Sequence, residues 1–600
     1  MHTIDYLIVA AYLFILVAKS LFLARRAAAG ASDYFLAGRK MPWWALGASG
    51  MSSNLDAAGT MTIITLVYLY GLHGFFIEMR GGVVLPIAVF LAFMGKWHQR
   101  SHVVTTGEWM LLRFGDTWQG RAARYTAAFT YLIITIGMVV FFLAAAGKFL
   151  AVFLPFDPVT CAVAMAAVAL LYTMISGLYG VIWTDVLQAA LIGFAAIYIA
   201  ITAAGYVTPE LLAQWPGNAY NQATPLITSG LTQTQTAGVD QPITEYSPFI
   251  LFLLFWAGKG ILEGLGGSGG SAYMAQRFYA SQDVPTVKKL CMLWTVLFAF
   301  RWPMVLGFAI LAIHLGIGEQ DPERILPGVL LSDLFPPVIR GLLVTAIFAA
   351  SMSTFDSTIN AGASYVVRDL YLPFAQRNKR PEPTQRAQVI AGYIASAVIV
   401  AAGLTLALLF AEGVVDVWVT IVIQLFPAFL VPFALRWFWA RFNGAGFTLG
   451  VITGFVAAFA WTFLPTPYQL GMADSVSIFI QNNAFTDIAT LSAISLASIF
   501  GCIIGTYASQ PTDTTRLRAF YEQTRPFGIW PRDWKQNDRA EHTADLARLA
   551  LALTWQIATF LLPMFAMLRM TTPTLIAAVI WAITGWLLLR DTNQSIKISS

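Results

Sequence analysis

Long apolar stretches recur along the chain, each near the length needed to cross the hydrocarbon core of a bilayer and each followed by a polar break. They fall at about 4–23, 43–71, 75–95, 122–150, 158–175, 181–204, 247–276, 287–316, 337–367, 386–411, 414–440, 445–465, 486–507, 545–568 and 573–590. This pattern of roughly 14–15 spans predicts an all-α polytopic membrane protein. One stretch is too polar to face lipid: Ala349 to Tyr371 carries Ser, Thr, Asp and Asn inside an apolar frame. On a helix, Ala350, Ser353, Asp356, Ser357 and Asn360 recur at i, i+3, i+4 and i+7 steps and form one stripe, with Thr354 on its flank. Oxygens, some of them anionic, are what a hard cation such as Na+ requires. A carboxylate at membrane depth is costly and marks an ion or substrate path. The competing reading is a Ser/Thr-rich helix that glues a bundle together.

Composition narrows the class. Of 600 residues 58% are hydrophobic and 11% charged, with a mean hydropathy of +0.68, outside the range of soluble globular chains. A pI near 9.0 raises nucleic acid as a partner, but the excess is only +5 and the basic residues sit in short loops, so membrane topology explains the charge instead. With the N-terminus outside, the loops carrying Arg25, Arg26, Arg39 and Lys40, then Lys96, Arg100, Arg113 and Arg121, then Arg277, Lys288 and Lys289, then Arg368, Arg377, Lys379, Arg380 and Arg386 all fall in the cytoplasm, as does Lys597. The intervening loops are acidic or neutral; the longest, near 203–246, has neither Lys nor Arg. The expected setting is the plasma membrane (the inner membrane of a bacterium), with the C-terminus inside. Cys161, Cys291 and Cys502 lie in or beside apolar segments without CxxC spacing, so neither a disulfide framework nor a metal site is expected. The first segment lacks a basic leader and is followed by Arg25 and Arg26, which reads as a retained helix.

The parity of the spans implies a mechanism. If residues 42–204 hold one five-helix unit and 247–440 another, the two enter the membrane from opposite sides, which is an inverted-topology repeat. Residues 1–41 then form a leading helix and loop, 205–246 an external loop, and 441–600 accessory helices with a basic loop at 509–543. Such repeats bind their cargo where the first helix of each unit is broken. The second span, Ala45-Leu-Gly-Ala-Ser-Gly-Met-Ser-Ser-Asn-Leu-Asp-Ala-Ala-Gly-Thr60, and the seventh, Glu263-Gly-Leu-Gly-Gly-Ser-Gly-Gly-Ser-Ala-Tyr273, are both rich in helix-weakening glycine. Close packing through small residues is the alternative.

Several motifs resemble the sodium:solute symporter family. Asp33-Tyr-Phe-Leu-Ala-Gly-Arg39, Thr106-Gly-Glu-Trp-Met-Leu-Leu-Arg-Phe-Gly115, Gly177-Leu-Tyr-Gly-Val-Ile-Trp-Thr-Asp-Val-Leu-Gln188 and the Ala349–Tyr371 stretch occur in the family's order, and the likeness spans roughly residues 5–465. The resemblance implies a LeuT-like five-plus-five inverted repeat with one preceding helix and C-terminal extra helices. It also implies Na+ as coupling ion, no organic cofactor and no enzymatic activity. The shared sodium site of that family would take the carbonyls of Ala48, Met51 and Ala350 and the hydroxyls of Ser353 and Thr354. A second sodium site found in some members matches Asp185, Ser353, Asp356 and Ser357, with Asp356 standing where those members carry a hydroxyl. Asp185 has a structural alternative as a cap or ion-pair partner near Gly177 and Gly180.

For the solute, the resemblance to sugar carriers points to Glu78, whose carboxylate suits paired hydroxyls. Other sugar-contacting positions of those carriers fall here on Leu55, Phe300 and Val419, which puts a plain hexose in doubt. Asn54 and Ser271 are further candidates, as are Asp56 and Arg301. A guanidinium fork at Arg80 or Arg301 would favour an acidic solute, whereas Asp56 also has the simpler option of pairing with either arginine. Lys259 and Glu263, at i and i+4, have the option of satisfying each other. His73, His314, Trp43, Trp44, Trp437 and Trp439 read as interfacial, and the 509–543 loop either as lying on the anionic inner leaflet or, more simply, as a solvated linker. A Na+-coupled symporter of a small polar solute, with a sugar or sugar derivative favoured, is the expected function. Carboxylate or amino acid symport, proton coupling and a solute sensor remain the alternatives. No P-loop supports an ATP-driven pump, and no filter motif supports a channel.

Overall fold

A computed structural model of the chain describes residues 1–27, 36–79, 84–215, 231–232, 244–245, 249–266, 272–319, 321–377, 383–410, 414–463 and 483–599. Each expected span coincides with one or more helical segments. Among the described residues ten helices are long and apolar enough to cross a membrane, and an eleventh span is a bent pair, Val417–Leu425 with Pro427–Phe438, meeting at 44°. The remaining expected spans are broken or short. The second divides into Trp43–Ser52 and Ala57–Tyr70, and the seventh into Phe249–Leu265 and Ala272–Tyr279. Residues 267–271, which include Ser271, lie outside the described residues. Residues 158–175 and 181–204 are nearly continuous as Pro158–Tyr206, interrupted at Gly177 (φ 52°, ψ −162°), a conformation open to a residue without Cβ.

Capping explains where several helices start. Asp56, Thr105, Thr117, Asp157 and Asp283 each accept a backbone N–H from the first turn that follows them. The leading helix, Thr3–Ala27, packs on Pro158–Tyr206 and on Ile339–Tyr365. Its buried Asp5 accepts from the amides of Val338 and Gly341, both at 3.1 Å, at the start of the latter helix. Ile339–Tyr365 is the axis of the molecule: 94% of its most apolar window is buried, so its polar stripe meets protein and not lipid.

Outside the centre, Gly444–Phe463 and Asn483–Tyr507 lie backbone to backbone. A Cβ on Gly446, Gly450 or Gly501 would collide with Thr506, Cys502 or Thr453, and one on Gly505 would sit 2.6 Å from the Ala445 carbonyl. The last two helices, Arg539–Met567 and Thr571–Ser599, are fastened to the rest through charge. Lys96 Nζ meets Glu541 at 2.6 Å and Asp545 at 2.7 Å, Arg548 bonds Asp545 and Asp591 (both 2.7 Å), and Lys288 reaches Asp591 at 3.1 Å. Asp545 is central and buried, and it accepts from two cations. Charged hydrogen bonds contribute about 1.5–3 kcal/mol each. Asp545→Asn is therefore expected to destabilise the detergent-solubilised protein by about 2–3 kcal/mol, read as a lower midpoint of thermal unfolding; an unchanged midpoint would show that the network contributes nothing net.

Four readings from the sequence are corrected. Arg113 is no loop cation: it is fully buried and donates to the carbonyls of Arg436 and Trp439, both at 3.1 Å, at the end of Pro427–Phe438. Trp437 is buried against Trp97, Trp109 and His98, unlike the half-exposed Trp43 and Trp44. His73 is likewise buried. The 509–543 segment is docked and partly helical (Thr514–Thr524): Trp530 is buried, donates to the Trp437 carbonyl at 3.2 Å and lies under the Arg113 guanidinium. Sparse apolar content hid this, because two tryptophans and Phe520 do the packing.

Candidate functional site

Where the Trp43–Ser52 helix stops, its loose end is held by the Ile339–Tyr365 helix. The amide of Ala57 donates to Ser351 Oγ at 2.9 Å, Thr354 Oγ1 donates to the Leu55 carbonyl at 3.2 Å, and Ser353 Oγ lies 3.0 Å from Ser52 Oγ. Unwinding leaves backbone groups without helical partners, and the hydroxyl stripe supplies some of them. Thr354 Oγ1 also lies 3.2 Å from the Ala350 carbonyl. Ser353 and Thr354 therefore face the break, with the Ala350 carbonyl beside Thr354 on the same helix, while Ala48 and Met51 are buried in the helix that ends there. The Met51 carbonyl accepts from the Asn54 amide at 3.1 Å. Leu55, named above only on the solute side, supplies the break carbonyl that touches Thr354.

One turn deeper lies a cluster drawn from several helices. Asp185 accepts from Ser353 and Ser49 through short hydrogen bonds and from Ser53 at 3.3 Å. Asp356 accepts from Tyr172 Oη at 2.8 Å, and Ser357 Oγ lies 2.9 Å from Ser53 Oγ. Both carboxylates are fully buried, as are Ser49, Ser53, Ser353 and Ser357. The predicted Asp185, Ser353, Asp356 and Ser357 thus come together.

The sequence reading missed the cation among them. Arg277, assigned above to a cytoplasmic loop, is fully buried on Ala272–Tyr279. Its Nη2 lies 2.6 Å from Ser357 Oγ, 2.7 Å from Ser53 Oγ, 3.0 Å from Ser49 Oγ and 3.4 Å from Asp185. Nη1 donates to the Tyr273 carbonyl at 2.9 Å. An arginine at the end of an apolar segment looks the same in sequence whether it reaches water or turns inward; only the adjacent Gln276, which donates to Asn360 at 3.0 Å, hinted at a polar interior. With both carboxylates ionised, the cluster would carry a formal charge of −1 among hydroxyls and favour a monovalent cation; with one proton held between them, the guanidinium alone would balance it.

The remaining candidates form a second group on the far side of the break. Asn54 donates to the Gly50 carbonyl at 2.8 Å and accepts from Tyr273 Oη at 3.0 Å. Arg301 donates to the Asn54 carbonyl at 3.2 Å, and a Cβ on Gly59 would sit 2.9 Å from its Nη2, so glycine there leaves space for the guanidinium. Asp56 accepts from the Gly59 amide at 2.6 Å and serves as a helix cap, with no ion pair to Arg301 within 4.0 Å. Arg80 lies outside the described residues. Glu78 is buried at the end of His73–Glu78. Lys259 and Glu263 pair directly, both nearly inaccessible, which satisfies each charge locally.

Comparison with known proteins gives this arrangement its context. The profile of the sodium:solute symporter family matches residues 34–454. A sodium/sialic acid symporter of Aliivibrio fischeri is 25% identical over 394 residues, covering 64% of this chain and 73% of that one. A sodium/glucose cotransporter of Vibrio parahaemolyticus is 23% identical over 526 residues, covering 81% and 90%. The solved structure of a Na+-coupled sialic acid symporter in a substrate-bound outward-open state shares the fold, with a TM-score of 0.60 at 19% identity over 85% of this chain and 99% of that one. With its LeuT-like helical fold and its many apolar spans, the chain is a membrane-embedded sodium-coupled transporter, not an enzyme, and belongs to the sodium:solute symporter family.

Proposed function

We propose that the chain carries a small polar organic solute, a sugar or sugar derivative, into the cell together with Na+ by alternating access. The observation that supports this reading is the row of Ser351, Ser353 and Thr354 contacts that join Ser52, Leu55 and Ala57, in and on either side of the break, to the Ile339–Tyr365 helix. A Na+ bound by the carbonyls of Ala48, Met51 and Ala350 and the hydroxyls of Ser353 and Thr354 would tie the broken helix to its partner. That tie stabilises one arrangement of the two, and differential binding to two arrangements is what couples ion to solute. The deeper cluster of Asp185, Ser353, Asp356 and Ser357 is the second candidate cation site, with Arg277 already supplying part of its positive charge. We read residues 42–204 and 247–440 as the two inverted units, and the N-terminus as external.

Between the break and Ala272–Tyr279, Asn54, Glu78, Ser271 and Arg301 are the groups proposed to meet the solute, with Asp56 shaping the wall. The buried Arg301 guanidinium favours a sugar derivative or other solute that carries a carboxylate over a neutral hexose. One Na+ crossing about 100 mV supplies roughly 2.3 kcal/mol, and a tenfold concentration gradient adds about 1.4 kcal/mol. Together they support accumulation by roughly two to three orders of magnitude per ion.

The test is uptake of a solute panel, including neutral hexoses, acidic sugars and amino acids, into proteoliposomes with and without inward Na+. Concentrative uptake of an acidic sugar derivative that requires Na+ is expected. Uptake that persists without Na+ and collapses with a proton uncoupler would overturn sodium coupling, and specific binding without flux under any gradient would overturn transport.

A further inference from the structure

The C-terminal helices enclose a groove that the transport cycle described above does not use. It measures ≈ 540 Å3 and lies between Val284–Ala299, Arg539–Met567 and Thr571–Ser599. Met292, Leu293, Val296, Trp581 and Leu589 give it apolar walls, and Trp43, the first residue of the broken helix, closes one side.

Two features set it apart from an ordinary lipid-facing surface. First, the indole N–H of Trp555 is buried in its wall (3% exposed) and has no hydrogen-bond partner. It packs against Gly585, itself part of the groove lining, where a Cβ would stand 2.8 Å from Nε1, so a side chain there would displace the indole. A buried, unpaired donor is costly and calls for an acceptor. Second, one end of the groove is positive. Exposed Lys289 lines it, and Arg590 lies over the Trp586 ring at 5.6 Å. Asp591, the acid nearest in sequence, is engaged by Arg548 and Lys288. Trp555 is seven residues beyond Arg548 along its helix, and Gly585 six residues before Asp591. At 1.5 Å per residue the indole lies about 10 Å further into the membrane than the charges.

We infer that this groove is a binding site for one anionic phospholipid of the bilayer. Its phosphate pairs with Lys289 and Arg590, an ester carbonyl accepts from Trp555 Nε1, and an acyl chain lies along Leu293, Val296 and Trp581. The lipid would be seated against Trp43 and so against the half-helix that ends at the cation site, on the face read above as cytoplasmic.

Native mass spectrometry of the delipidated full-length protein, titrated with phosphatidylglycerol or phosphatidylcholine, tests the assignment. One phosphatidylglycerol should be retained in preference to phosphatidylcholine. Lys289→Gln should weaken its binding about fivefold, as expected for one surface cation, and Trp555→Phe by a similar factor through loss of one hydrogen bond. Equal retention of the two lipids, or unchanged binding in both variants, would overturn the proposal. So would a co-purifying polypeptide crosslinked to a cysteine introduced by Ala582→Cys, because a partner helix would then fill the groove. Lys289 is exposed and its replacement leaves the packing intact, so that variant decides the matter even if Trp555→Phe folds poorly.

Discussion

Arg277→Met is expected to destabilise the protein by about 3–5 kcal/mol, because it removes one partner of a buried ion pair and leaves Asp185 charged among hydroxyls. In water the same change would matter little, since exposed pairs contribute at most about 1 kcal/mol. Here Arg277 and Asp185 are both fully buried, and Nη2 also serves Ser49 and Ser357 on two other helices and Ser53 at the break. Removing both charges, in Arg277→Met with Asp185→Asn, should recover most of the loss. The interaction energy follows from the double-mutant cycle by thermal unfolding in detergent. If Arg277→Met unfolds at the wild-type temperature, the guanidinium is not the counter-charge of this cluster. A sodium titration of the same variants separates the two roles of Asp185: the double variant should fold yet respond more weakly to Na+ if that carboxylate also attracts the ion.

The largest functional effect is expected from Ser353→Ala combined with Thr354→Ala. Each hydroxyl is buried and each contacts the broken helix, through Ser52 and Leu55 respectively. At about 1.5–3 kcal/mol for each hydrogen-bonding group facing a charge, losing both should raise the Na+ requirement by roughly two to four orders of magnitude. At millimolar to molar Na+ this amounts to abolished sodium-driven uptake. Ser364→Ala is the control: Ser364 is equally buried on the same helix but bonds only within it, to the Ala361 carbonyl at 2.6 Å. Sodium-driven uptake that survives in the double variant would move the coupling ion away from these hydroxyls.

Much of the architecture was legible because the membrane constrains sequence so strongly. Apolar length located the helices, glycine-rich interruptions located the break at Ser53–Asp56, and the 3.6-residue spacing of Ser353 and Ser357 placed them on the face that meets it. What stayed hidden depends on contacts between residues distant in the chain. Arg277 meets Ser49 across 228 positions and Ser357 across 80, and no periodicity reports such a meeting. The rule that basic residues flank spans on the inside sorted Arg113, Arg277 and Lys288 with true loop cations because it counts charges without asking where the side chains turn. Asp56 has a role that the span pattern did not announce: an acid inside a span suggested a wall of the cavity or an ion pair, and the interruption of the helix also makes it a cap.

The glycine-lined contact between Gly444–Phe463 and Asn483–Tyr507 limits where the molecule can bend. Sliding one helix past another needs side chains that trade one set of notches for the next. Here the spacers are absent, and Thr453, Cys502 and Thr506 fit directly against the opposing backbone. Turning one helix against the other would drive Phe447 or Leu449, the sequence neighbours of these glycines, into space sized for hydrogen. The two helices are therefore held as a single strut, and the rocking that the proposed transport cycle requires would fall to the hydroxyl-bridged joint around Ser53–Asp56, whose contacts break and reform at far lower cost.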